Sequence, residues 1–177
     1  MLYPNVLRDL LIRIGQSGFI QAKWSEEILD EVFRNLKRNR PDLDPGKLDR
    51  TRTLMNASVR DCLVTGYEPL VAVLDLPDPD DRHVLAAAIK ARARVIVTEN
   101  LRDFPERILG HWNIEAQCAD DFVLDRIDLS ERMVVDAVRQ IVASRRAPST
   151  STSDVLDALE RSGLRKVVAA LRPIATR

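Results

Sequence analysis

At 177 residues the chain has room for one domain and a small appendage, and 45% apolar residues can supply a core. Lys plus Arg equals Asp plus Glu at 27 each, so net charge argues neither for nor against a polyanionic partner and any basic surface must be local. Cys62 and Cys118 lie far apart with no CxxC or histidine spacing, as buried thiols in a reducing compartment do. No apolar run approaches the roughly 20 residues of a membrane span, and the first residues lack the pattern of a signal peptide. A cytoplasmic protein without a membrane partner is expected.

Pro4 suits the first turn of a helix through NVLRDLLIRIG, which Gly15 and Gly18 end. FIQAKW reads as a short strand. Ser25 is an N-cap for EEILDEVFRNLKRN, with Glu26 and Glu27 in the first turn, where the helix dipole favours anions. Pro41 stops that helix. Asp44 and Pro45 start another, through about Leu63. LVAVL, residues 70–74, is β-rich and apolar and reads as a buried strand. DPDDRHVLAAAI then opens an Ala-rich helix at Asp81, followed by VIVT as a second buried strand. FPERILG reads as a short helix and IEAQC as an edge strand. Strands alternating with helices predict a parallel α/β sheet. Past Asp128 the pattern is helical: SERMVVDAVRQIVASR, then a linker APSTSTS, then DVLDALERSG capped by Ser153 or Asp154, and LRKVVAALR.

Ligands of an open α/β sheet bind beyond the carboxyl ends of its strands. Asp81 follows the first predicted strand; Asn100 and Asp103 follow the second. Glu27 and Glu31, one helical turn apart, can face the same place. Hard oxygen donors of this kind suit Mg²⁺ or Mn²⁺ rather than zinc, and hydrolysis of a phosphodiester is the natural use of such a site. Plainer roles compete. Asp78 and Asp80 read first as helix caps, Glu27 and Glu31 as a solvated face, Asp103 as a turn residue, and His83 as a surface residue without a role. RNLKRNR, residues 34–40, is a solvated helix end or, through Lys37, Arg38 and Arg40, an RNA-binding phosphate patch.

Three stretches in this order and spacing, WSEEILDEVFRNL, DPDDRHVLAAAI and VIVTENLRDFP, resemble the PIN domain, in the subgroup of VapC-like toxin ribonucleases. The likeness covers roughly residues 2 to 125, and the helical tail is similar to the C-terminal extension of one branch. The resemblance implies a three-layer α/β/α sandwich with a parallel sheet, placed at residues 1–127, and a helical extension at 128–177. It implies Mg²⁺- or Mn²⁺-dependent cleavage of RNA, tRNA or ribosomal RNA, by a cytoplasmic toxin held in check by a cognate antitoxin. By motif the catalytic and metal-holding residues are Glu31, Asp81 and Asp103. Asn100 stands where the family has an aspartate and joins the metal-holding set as a weaker, uncharged ligand, with Asp103 as the substitute acid. Thr98 and Glu27 support the site.

The resemblance also implies a central first strand whose terminal aspartate ligates metal. Met1 stands where the valine closing that motif would be, so the sequence as given lacks the N-terminal central strand. A gapped sheet is expected, or one completed by another copy in a homodimer, together with little cleavage unless the chain is extended upstream. The alternative is a non-catalytic PIN-fold protein that binds RNA or a protein partner. A phosphatase reading lacks any D-x-D or C-x5-R motif.

Overall fold

The computed structural model describes residues 5–145 and 150–175. Expectations for residues 1–4 and for part of the linker, residues 146–149, fall outside them. The chain forms two compact units, residues 21–117 and residues 1–20 with 118–177.

In the unit of residues 21–117, Trp24 is followed by α2 (Glu26–Asn39), numbered after α1 (Asn5–Gln16) of the other unit. Ser25 caps α2: its hydroxyl accepts the Ile28 N–H at 3.1 Å. Leu29, Phe33 and Leu36 repeat at helical spacing and are buried. α3 (Pro45–Ser58) starts on Asp44, whose carboxylate accepts the N–H groups of Gly46 and Lys47, and Pro45 needs no partner there. It ends at Ser58 rather than near Leu63, because Val59 is extended and Asp61 takes a positive φ of 51°.

The expected strand at 70–74 does not form. α4 (Glu68–Val71) occupies its start, with Pro69 in the first turn, and Val73 is 75% exposed. Proline fixes φ near the helical value and offers no N–H to a ladder, so local chemistry overrides the β-rich composition. Leu74 and Leu76, with one residue between them, still bury. FIQAKW likewise reduces to a single bridge. Trp24 pairs in parallel with Leu63, its N–H donating to the Cys62 carbonyl at 2.9 Å and its carbonyl accepting from Val64 at 2.8 Å.

A 3-10 turn, Pro79–Asp81, runs directly into α5 (Arg82–Lys90). β1 (Val95–Val97) follows, then a second 3-10 turn, Leu101–Asp103, α6 (Glu106–Leu109) and β2 (Glu115–Gln117). β1 and β2 pair in parallel, Ile96 opposite Ala116, as a two-stranded sheet. Leu85, Ala86, Ala87 and Ala88 of α5 pack with Ile96, Leu109 and Ile114 in one core. Small alanines let the helix lie close to the strands. The result is a mostly helical α/β unit, with much less sheet among the described residues than the sequence predicts.

The other unit is helical. α1 buries Val6, Leu7, Leu10 and Ile14 at 3–4 residue spacing against α8 (Glu131–Ser144) and α9 (Thr152–Arg161). α7 (Ala119–Leu129) packs on α8 and on α10 (Arg165–Ala175). Asp120 of α7 accepts the backbone N–H groups of Lys166 and Val167 at 2.9 and 3.0 Å, capping α10 from 46 residues away. Neither Ser153 nor Asp154 caps α9. Ser151 does, accepting the Asp154 N–H at 3.1 Å while the Asp154 carboxylate accepts the Ser151 N–H at 2.8 Å. This reciprocal pair satisfies two orphan donors. Ser151→Ala is expected to cost about 1 kcal/mol, read as a lower denaturation midpoint with unchanged slope. No helix among the described residues is long and apolar enough to cross a membrane.

Candidate metal centre

Two short turns build the site. Asp78 begins the first: its carboxylate accepts the Asp80 N–H at 2.9 Å, and Pro79 fixes the next φ. Asp81 closes that turn at the head of α5 and makes no side-chain cap bond, so its carboxylate is unspent. The second turn follows β1. The Thr98 hydroxyl oxygen accepts the Asn100 N–H at 3.1 Å, and the Asn100 side-chain amide donates to the Asp103 carboxylate. Thr98 and Asn100 thus set the angle of Asp103.

Carboxylate oxygens of Asp78, Asp81 and Asp103 come together within 4.8 Å of one another. Asp81 and Asp103 meet as the sequence predicts. Asp78, read from sequence as a cap, both caps and joins the cluster; the Asp78–Asp81 spacing, one short turn, is the signal that could have revealed it. Asp80 is not part of it. Glu31 stands outside the trio, yet its charge reaches Asp81. Burial, then the neighbouring carboxylates of Asp78, Glu31 and Asp103, push the Asp81 carboxyl up to about 6, with His83 pulling the other way.

α2 carries two acidic stripes with different fates. Glu26 and Asp30 both accept from the Arg52 guanidinium of α3, and Glu26 also accepts the Asn56 amide at 3.0 Å. These two carboxylates tie α2 to α3. Glu27 and Glu31 face α5 instead. The Glu27 carboxylate accepts the Tyr67 hydroxyl at 2.8 Å, and burial pushes that phenol above its ordinary value.

His83 corrects the surface assignment made from sequence. It is 7% exposed and lies beneath α2, with Nε2 3.4 Å from a Glu31 oxygen and Nδ1 3.8 Å from a Glu27 oxygen. Position explains it: His83 sits four residues before Ala87, so it shares the buried stripe of α5. The apolar run that follows it was the available signal. The basic patch is locally engaged. Lys37 pairs with Asp49 at 3.3 Å, Arg40 with Asp42 at 2.6 Å, and Arg38 donates to Asn35 at 3.3 Å, all exposed.

Three carboxylates in so small a volume repel one another, which adds to burial in raising the Asp81 carboxyl. A divalent cation would relieve that repulsion. Hard oxygen donors without thiolate or imidazole fit Mg²⁺ or Mn²⁺.

Comparison with known proteins identifies the family. A family model described as PIN domain matches residues 3–102, and one described as VapC50 C-terminal domain matches residues 119–173. Over 94 residues the chain is 42% identical to the protein named "Putative ribonuclease VapC50" of Mycobacterium tuberculosis. That stretch covers 53% of this chain and 55% of the relative, so the match spans about half the length of each. No solved structure matches the chain. With the first model covering more than half of its residues, the chain belongs to the PIN domain family and carries a helical C-terminal segment of the VapC50 type.

Proposed function

We propose that this protein is a metal-dependent endoribonuclease, the toxin of a toxin–antitoxin pair. The carrying observation is the convergence of Asp78, Asp81 and Asp103 in a chain of the PIN family. We assign residues 1–127 to the catalytic domain, a three-layer α/β/α sandwich, and 128–177 to the extension.

Asp81 and Asp103, with Asp78, would hold Mg²⁺ or Mn²⁺, and Glu31 would approach from α2. When bound, such an ion lowers the pKa of a water and neutralises charge on a phosphate. The protein's own part is placement. Asn100 holds Asp103, Thr98 holds the Asn100 backbone, and Tyr67 holds Glu27. Lys37, Arg38 and Arg40 are exposed at the end of α2, where they can exchange their local partners for the phosphates of an RNA. Such exchange makes binding fall with added salt.

The test incubates tRNA and ribosomal RNA with this chain, and with a version extended upstream in frame, in Mg²⁺ or Mn²⁺ with and without chelator. Chelator-sensitive cleavage by either form supports the reading. Retention of RNA without cleavage by both would replace it with a non-catalytic RNA-binding protein.

A further inference from the structure

We propose that His83 is a positioning residue, holding the Glu31 carboxylate toward the aspartate cluster; this rests on the metal-dependent reading above. Ser25 and His83 are buried polar side chains of different standing. Ser25 is accounted for by its cap to Ile28. His83 has no such account. An imidazole loses its hydration on burial and must recover it from partners. Its Nδ1 is buried without a hydrogen-bond partner, and its Nε2 faces Glu31 at 3.4 Å.

Glu27 is not the main partner. It lies 3.8 Å from Nδ1, too far for a hydrogen bond, and its carboxylate already accepts the Tyr67 hydroxyl at 2.8 Å. Tyr67 therefore leaves the imidazole to Glu31. A proton on Nε2 serves that contact whether the ring is neutral or charged. Glu31 needs it, because its side chain is 47% exposed and swings on three rotatable bonds. A carboxylate serving a metal is normally held by a hydrogen-bonding group behind it. Position fits that role: Asp81 and His83 lie two residues apart at the start of α5, so one helix start places a cluster carboxylate and the brace for the Glu31 carboxylate outside the cluster. His83 itself is not among the groups converging with Asp78, Asp81 and Asp103.

The rival explanation is that the ring only fills space under α2. Leucine matches that volume but has no N–H; glutamine keeps an N–H. The experiment titrates the full metal-free chain with Mn²⁺ and follows the paramagnetic resonance signal of the free ion. His83→Leu should weaken binding by about tenfold, and His83→Gln should restore most of it. Glu31→Gln should weaken it as much as His83→Leu. If His83→Leu binds as tightly as the parent while Glu31→Gln does not, the positioning role is overturned and the metal site stands. If both bind as the parent does, Glu31 is not held for metal and the inference falls, again leaving the aspartates. If the parent chain takes up no Mn²⁺, the metal reading fails and the inference with it. A readout on the unsubstituted protein guards against misfolded variants. The ¹⁵N shifts of the His83 ring should show a protonated Nε2, and an unprotonated Nε2 would overturn the proposal.

Discussion

Asp81→Asn is expected to lower chelator-sensitive RNA cleavage by about a hundredfold or more and, in metal-free protein above pH 6, to raise the melting temperature. The first effect follows from placement: moving a reacting group by about 1 Å can cost on the order of a hundredfold. An amide in place of Asp81 removes a full charge from the cluster and leaves Asp78, Asp103 and Glu31 to hold an ion without it. The second effect follows from the raised carboxyl. Its folded value of about 6 lies above its ordinary value of 3.8, so the folded state binds the proton more tightly than the unfolded chain does. Stability of the metal-free protein therefore falls as pH rises from about 4 through about 6, and stays at the lower level beyond. The variant lacks this loss. Asp81 makes no side-chain cap bond, so little is given up. Thermal melts of both proteins in chelator, at pH 4 and pH 8, should show curves that coincide at the lower pH and separate at the higher. A variant that melts lower at pH 8 would mean that Asp81 makes a stabilising contact, and the electrostatic account would fail.

Leu29→Ala should be the most damaging change to stability, at about 2–5 kcal/mol. Leu29 is fully buried between the two acidic stripes of α2. Its removal leaves a cavity behind the backbone that carries Glu27 and Glu31, and neighbouring Phe33 and Leu36 are too confined to fill it. Leu54→Ala is the matched control, since Leu54 is 55% exposed and should change stability by no more than about 0.5 kcal/mol. Chemical denaturation of the three proteins measures both. Equal midpoints for Leu29→Ala and the parent would mean that α2 is not anchored through this side chain.

Helix starts were the most legible part of the sequence. Ser25 and Asp44 cap where the sequence puts them, because a cap is decided within four residues, although α9 starts on Ser151 rather than on Ser153 or Asp154. The two strands β1 and β2 were also readable, each a short run bounded by polar residues. LVAVL was misread because its composition is β-rich while Pro69 decides the backbone. Composition speaks of what could be buried, whereas proline speaks of what can be bonded. At the site, Asp81 and Asp103 could be found from their positions after strand-like runs. Asp78 was assigned to one role when it fills two. His83 was misplaced for a tertiary reason: only the packing of α2 over α5 turns a first-turn position into an enclosed one.

The division of the chain into units bears on how it is made. Residues 21–117 form a contiguous stretch that can close on itself as soon as it leaves the ribosome. α1 cannot. Its apolar stripe, Val6, Leu7, Leu10 and Ile14, packs on helices that begin at Glu131, more than a hundred residues downstream. At ordinary rates of synthesis that leaves the stripe waiting for on the order of ten seconds. During that interval the nascent protein shows water a hydrophobic helix with no home, a target for holding chaperones and a seed for aggregation if none is at hand.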